Sequence, residues 1–393
     1  VHFLRPDWLF GRAAMDTASS KDATSVTLAL CGDVMTGRGV DQILRHPGDP
    51  RLFEPLVRDA RHYLELAEQA SGPIAKPVAD AYVWGDALAE WDRFSPDARI
   101  INLETSITTS NDYWRGKQVH YRMHPDNVAC LVAARPSCCS LANNHVLDWG
   151  HAGLAETLQT LKRAGLRYAG AGLNQQESQA PVVLEVPGKC RIVVLACGAA
   201  DSGIPFSWAA TRDRPGINLL TDFSECEVHQ IQQTLGPVKQ PGDLIMASLH
   251  WGPNWGYEIP QAHRFFAHRL IDEADVAVVH GHSAHHVMAI EIYRDRLILH
   301  GCGDFIDDYE GITGYERFRD DLGLIYFATI ECGTGRLIRL QMTPTQIHRM
   351  QVRRARREDA LWLRDTLNRQ SQPFGVEVQL TEDERLEAHP SRS

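Results

Sequence analysis

The chain has 393 residues, 50 acidic against 40 basic side chains, a formal charge of −10 and 44% apolar residues. That length carries one large or two modest domains and buries a full core without disulfide or metal staples. The composition excludes disordered, collagen-like and disulfide-scaffold classes, and the acidic balance argues against a general nucleic-acid binder.

Short β-type runs alternate with helical stretches along the chain. Residues 1–24 read as an N-terminal extension in which Arg5, Asp7 and Arg12 interrupt any apolar segment, so no signal peptide is expected. Strands are expected at 25–31, 99–103, 137–141, 167–169, 191–197, 244–249, 276–280, 287–293, 296–300, 324–329 and 337–342. Helices are expected at 58–70, 151–164, 261–273 and 358–369. Residues 25–345 read as one domain, with the less regular 46–97 as an insertion or subdomain between the first two strands. Arg294-Asp295 joins two apolar runs as a tight hairpin. Arg349, Arg353, Arg354, Arg356 and Arg357 read as a solvated basic face, and 346–393 as a C-terminal helix with a polar, partly mobile tail. This alternation predicts an α/β protein with helices flanking mixed sheets. No apolar run approaches the roughly 18–20 residues of a membrane span, so a cytoplasmic protein without one is expected. The nine cysteines contain no C-x-x-C pair, and Cys31, Cys190 and Cys197 are expected as buried free thiols.

Polar residues gather where the apolar runs end. The first run ends in Gly32-Asp33-Val34-Met35, the second in Asn102-Leu103-Glu104, and the third leads into Asn143-Asn144-His145. The fourth ends in His250-Trp251-Gly252, and the fifth opens a stretch, 280–286, that holds four of the eighteen histidines. In an α/β sheet the ligand crevice lies beyond the carboxyl ends of the strands, so these five ends are expected to converge on one site. Mixed carboxylate, amide and imidazole ligands suit Mn, Fe, Zn or Ni, with Mg or Ca where oxygen dominates. The lack of cysteine at these positions argues against a structural zinc site.

The same motifs carry a family resemblance. Gly32-Asp33-Val34-Met35-x-Gly37-Arg38-Gly39, Asn102-Leu103-Glu104, Ser140-Leu141-Ala142-Asn143-Asn144-His145-x-Leu147-Asp148, Gly170-Ala171-Gly172, His250-Trp251-Gly252 and Gly281-His282-x-x-His285 resemble, in order, the CapA/PgsA family. That family makes capsules and poly-γ-glutamate and is a branch of the calcineurin-like metallophosphatase superfamily. The resemblance runs from about Thr27 to Phe327. It implies a four-layered α/β/β/α sandwich of the metallo-dependent phosphatase type, with one or two divalent cations (Mn, Ca, Mg, Zn or Fe) at one end. By motif, Asp33 resembles the first-strand ligand, Glu104 the bridging carboxylate, Asn144 the amide ligand, and His250, His282 and His285 the imidazole ligands. His145 resembles the general-acid or orienting histidine. Met35 stands where the wider superfamily carries a histidine, which bears on the metal count. Asp304 stands where the CapA branch usually carries asparagine, and is open to three readings: an extra ligand, a general base or a turn residue.

Arg38, Trp114, Lys117, Tyr121, Arg122, Trp251, Asn254 and Trp255 are candidates for a substrate pocket. Their aromatic and basic character suits an anionic polymer, a phosphoester or a peptide. Three functions follow. The first is a metal-dependent hydrolase of a phosphate ester or an amide-type polymer bond, with His145 moving the proton. The second is a metal-dependent epimerase of a ribosomal (lasso-type) peptide, with Asp33 or Asp304 and His285 as acid and base. The third is a non-catalytic component of polymer synthesis.

Overall fold

The computed structural model describes residues 24–391. The extension expected at 1–24 therefore lies, apart from Thr24, outside the described residues.

The principal strands are β1 (Ser25–Val34), β2 (Ala98–Leu103), β3 (Cys138–Ser140), β4 (Tyr168–Ala169), β5 (Val182–Glu185), β6 (Arg191–Ala199), β7 (Leu244–His250) and β8 (Val276–His282). There follow β9 (Ile290–Tyr293), β10 (Arg296–Leu299), β11 (Asp304–Ile306), β12 (Leu322–Glu331), β13 (Leu337–Ile347), β14 (Val376–Leu380) and β15 (Leu386–Pro390). The longer helices are α1 (Arg61–Ser71), α2 (Asp86–Phe94), α3 (Ala129–Ala134), α4 (Gly150–Arg163), α5 (Glu225–Leu235), α6 (Gln261–Ala274) and α7 (Arg357–Ser371). A ten-stranded sheet runs β14-β15-β13-β12-β1-β2-β3-β4, with β11 also on β1 and the short strand Val352–Arg354 on β13. A seven-stranded sheet contains β6-β7-β8-β10-β9, with β5 on β6. The protein is thus mixed α/β, as its alternating pattern predicts.

Side chains alternate across a strand, and β1 uses both faces. Leu28 and Leu30 join a cluster with Val194, Met246 and Val278 of the second sheet. Ala29 and Cys31 join another with Trp84, Trp91, Leu131 and Leu154, from the segments that carry α1 to α4. The 46–97 segment thus delivers its two buried tryptophans to the core of the first sheet. On the far side of the second sheet, Val193, Leu195 and Ile245 pack against Val228 and Ile231 of α5 and Phe266 and Leu270 of α6. Each such side chain, removed from water, contributes about 1.5–3 kcal/mol.

The chain end departs from expectation. Residues beyond Pro373, read as a polar mobile tail, form the antiparallel hairpin β14–β15 on the edge of the large sheet. Val376, Val378, Leu386 and Ala388 face inward while Glu377, Gln379, Glu387 and His389 alternate between them. The period of two was masked by the charge count. Arg385, buried beside the hairpin, donates to Glu90 at 2.7 and 2.8 Å, which ties it to α2. Of the basic run, Arg353 and Arg354 reach Asp86, and Arg349 donates to the Ser71 carbonyl. Cys190, expected inside a strand, is half-buried in the β5–β6 turn, its sulfur 2.7 Å from that of Cys332.

Topology positions the site. Strands β1, β2 and β3 run parallel, as do β6, β7, β8 and β10. Register sets Asp33 beside Asn102 on one side and beside Asp304 of β11 on the other, and His250 beside His282. Gly32 permits the β1–β11 approach: a Cβ there would lie 1.7 Å from the Gly303 carbonyl oxygen, and the Asp33 amide donates to that same oxygen at 2.9 Å.

Candidate metal centre

The five strand ends converge. Asp33, His250 and His282 each offer a ligand atom within 4.8 Å of one another, and so do Asp33, His285 and Asp304. Asp33 is common to both groups, and all five residues are buried. Glu104 contacts Asp33 and lies 4.0 Å from His250 Nε2 and 3.7 Å from His145 Nε2. Asn144 Oδ1 lies 3.1 Å from His250 Nε2. The buried His and Asp clusters can therefore hold metal, with Asp33 in the shared position.

Hydrogen bonds around His282 test whether a cation fits. His280 Nε2 is 2.8 Å from the Cys31 carbonyl, which only accepts, so this nitrogen carries the proton. Burial holds His280 neutral, its pKa lowered to about 4, so Nδ1 is bare and accepts from Ser248 Oγ at 3.2 Å. The spent hydroxyl then accepts from His282 Nε2 at 2.9 Å. His282, also kept neutral foremost by burial, is left with a bare Nδ1, 2.9 Å from His250 Nδ1 and 3.9 Å from Asp33 Oδ1. Neutral His250 has one proton to place. If Nε2 carries it to Asn144 Oδ1, two bare nitrogens face each other. If Nδ1 carries it, a bare nitrogen faces the Asn144 oxygen. With the Asn144 oxygen toward Nε2, lone pairs oppose in either tautomer, and a cation held by these donors would relieve that opposition; an Asn144 turned to present its NH₂ satisfies the second tautomer without one. Asp304 Oδ2, buried without a hydrogen-bond partner, gives the second group a free ligand oxygen.

Outer partners of metal-bound histidines commonly set affinity. Ser248→Ala removes the group that fixes the His282 tautomer. It is expected to weaken divalent-metal binding about 10–100-fold, measured by metal titration, with the fold intact by circular dichroism. Unchanged affinity would sink the relay.

The carboxylates show the cost of their proximity. Burial, and then Asp304, raises Asp33 to about 6. Burial, and then Asp33, raises Glu104 well above the ordinary range. A raised carboxylate binds its proton more tightly folded than unfolded, so without metal Asp33 costs stability as pH rises from about 4 through about 6, and Glu104 adds a cost of the same sign. Cations reverse that cost once the groups ionise. Added Mn²⁺ is therefore expected to raise the unfolding temperature more at about pH 7.5 than at about pH 5, as thermal melts with and without metal would record.

His145 stands on the cavity side of this centre. Its Nδ1 is 2.6 Å from Asp148 Oδ2, and Tyr121 stacks on its ring at 3.7 Å. Lys117 Nζ lies 2.5 Å from Asp148 Oδ1 and also contacts the Asn144 carbonyl. Burial, then Lys117, pushes the His145 pKa well below the usual value. The ring is therefore neutral, protonated on Nδ1 toward Asp148, with Nε2 bare. His285 differs: burial disfavours its charge, but Asp304, its Oδ1 2.9 Å from Nδ1, together with Asp33 and Asp320 outweighs burial and raises it.

A cavity of about 700 Å³ opens over the centre. Arg38, Lys117, Tyr121, Asn254 and Trp255 line it as expected, together with His145 and His285. Trp114, Arg122 and Trp251 do not. Trp114 meets Trp208 edge-on at 5.4 Å, and the Arg122 guanidinium lies 3.8 Å over Trp149. Trp251 is buried, stacks on His263 and donates to the His300 carbonyl at 2.9 Å. These three shape the loops rather than the cavity. His286 packs on Phe318, and His300 pairs with Glu291 at 3.0 Å, so neither belongs to the ligand groups. Sequence reasoning gave no role to Asp148, Tyr63, Tyr315, Asp320, Ser248 or His280. The three-residue step from His145 to Asp148 was readable as a local pair, and the period-two step from Ser248 to His250 as one strand face. Among the described residues, no helix is long and apolar enough to cross a membrane.

A family model for the bacterial capsule synthesis protein PGA_cap matches residues 27–309. A Mycobacterium tuberculosis protein named a probable polyglutamine synthesis accessory protein is 47% identical over 367 residues, covering 93% of this chain and 96% of its own length. The capsule biosynthesis protein CapA of Bacillus anthracis is 24% identical over 85% of this chain and 71% of its own. The PGA biosynthesis protein CapA of Bacillus subtilis is 25% identical over 86% and 76%.

Proposed function

The chain belongs to the bacterial capsule synthesis protein PGA_cap family, and from that premise we propose that it is a divalent-metal-dependent hydrolase. Its target is an amide or phosphoester bond in the making of a capsule- or polyglutamate-type polymer. The observation that carries this reading is the pair of buried ligand groups sharing Asp33. We read the layers as the four-layered sandwich of metallo-dependent phosphatases, whose two cations would sit at these strand ends. Cations bound there would activate water and stabilise the charge that develops on the attacked group. His145 Nε2, bare and facing the cavity, takes the proton of the attacking water and returns it to the leaving group. Asp148 and Tyr121 hold the ring in place for both transfers.

The test is metal analysis of the purified protein, followed by assays of γ-glutamyl, α-glutamyl and phosphoester substrates with Mn²⁺, Mg²⁺, Ca²⁺ or Zn²⁺. Cleavage dependent on metal supports the reading. No bound metal, or no cleavage of any substrate, ends it. Solvent deuterium entering a peptide without cleavage would point instead to epimerisation.

A second reading has its own support, since the relative with 47% identity is named an accessory protein. A metal-stabilised partner of a polymer synthase needs the fold but not turnover. Unchanged polymer assembly in cells carrying the His250→Ala/His282→Ala variant would favour it.

A further inference from the structure

A thiol pair lies at the end of the sheets remote from the metal centre. Cys190 closes the turn between β5 and β6, and Cys332 opens the turn between β12 and β13. β6 belongs to the seven-stranded sheet and β12 to the ten-stranded one, so the two cysteines meet across the seam between the sheets. Register separates them from the site: Glu331 pairs with Ser25 at the start of β1, which Asp33 all but ends, and it is Gly198, not Arg191, that lies beside His250. The two sulfurs are 2.7 Å apart although 142 positions separate the residues. A disulfide spans about 2.0 Å, so the sulfurs need only a short approach to bond. Both cysteines are half-buried, and a cavity of about 390 Å³, which they line with Thr24, Gln240 and Gly242, opens onto them. Of the other cysteines, Cys226 is exposed and the rest are buried. The Lys189 ammonium reaches Asp97, just ahead of β2, at 2.7 Å and already ties the same seam by charge.

We infer that Cys190 and Cys332 form a reversible disulfide that staples the two sheets together. A low-molecular-weight disulfide such as oxidised glutathione supplies the oxidising equivalents. One cysteine, as its thiolate, attacks that disulfide, forms a mixed disulfide and releases one glutathione thiolate. The second cysteine attacks the mixed bond and releases the other. One S–S bond forms in the protein, one breaks in the oxidant, and the two cysteine protons end on two glutathione thiols. Burial, and then Cys332, raises the Cys190 thiol to about 12, so exchange is slow at neutral pH and quickens as pH rises. Closing so long a stretch of chain restricts the unfolded protein and so favours the folded one.

The test incubates the full chain with oxidised glutathione at about pH 8.5, removes the oxidant, alkylates the remaining thiols and digests without reduction. Mass spectrometry is expected to find a Cys190–Cys332 crosslinked peptide that dithiothreitol abolishes. The oxidised chain is expected to unfold at least about 3 °C above the reduced one. Cys190→Ser and Cys332→Ser, each checked by circular dichroism, should lose both the peptide and the shift. Separate glutathione adducts on the two cysteines, crosslinks confined to other pairs, or a Cys190–Cys332 crosslink without a rise in unfolding temperature would overturn the inference. None of these readouts uses metal or turnover, so the hydrolase reading is tested apart from this one.

Discussion

Asp33→Asn is expected to empty both cation positions at once, while Asp304→Asn empties one. Asp33 alone belongs to both ligand groups, and Asp304 to one of them. The substitution keeps the volume. The Asn102 amide now donates to Asp33 Oδ1 at 2.7 Å, and the Ser283 amide approaches Oδ2 at 3.2 Å. A carboxamide retains one acceptor for these donors but loses the charge that binds cations. Metal content should fall from about two equivalents to near none, and any hydrolytic rate by roughly 10²–10³ or more. Unfolding is separable from this effect. Asp33 ionises reluctantly, foremost because it is buried and then because Asp304 is beside it. Removing its charge therefore relieves the metal-free protein at neutral pH, and the metal-free variant should melt no lower than its parent. Retention of full metal content by Asp33→Asn, measured by mass spectrometry of the eluted ions, would refute the shared position.

Much of this centre was legible because the parallel strands end in sequence where they end in space. Short apolar runs closed by Asp33, Glu104, Asn144, His250 and His282 mark the carboxyl edge of each sheet, and a crevice there collects them. The residues that went unread act across chain distances the pattern does not encode. Asp304 was legible as a candidate but not its partner: it lies beside Asp33 because β11 pairs with β1 through Gly32 and Gly303. Ser248 and His280 sit one step inside the ligand positions, where a strand's alternating polar residues read as ordinary core. Trp114, Arg122 and Trp251 erred the other way: their chemistry suited a pocket, but stacking on Trp208, Trp149 and His263 consumed it. The C-terminal hairpin was hidden by its exposed glutamates, though its inward residues keep strict alternation.

His145→Ala is expected to lower turnover by about 10²–10⁴ while leaving metal content unchanged. Its Nε2 lies 3.7 Å from Glu104 Oε1, so it borders the centre but belongs to neither ligand group. Asp148→Asn should cost nearly as much, because a carboxamide that turns its NH₂ to Nδ1 forces the proton onto Nε2 and blocks the base. The pH profile carries a sharper statement. The working form of His145 is neutral, and burial foremost, then Lys117, hold it neutral well below the usual value. The acid limb of kcat/KM should therefore lie clearly below about pH 6.5. Lys117→Met removes the nearest positive charge, so the His145 pKa rises and the acid limb moves toward neutral pH. A merely structural lysine would change the rate at every pH without moving the limb. A profile unshifted in Lys117→Met, or one whose acid limb already lies near neutral in the parent, would rule out His145 as the proton carrier.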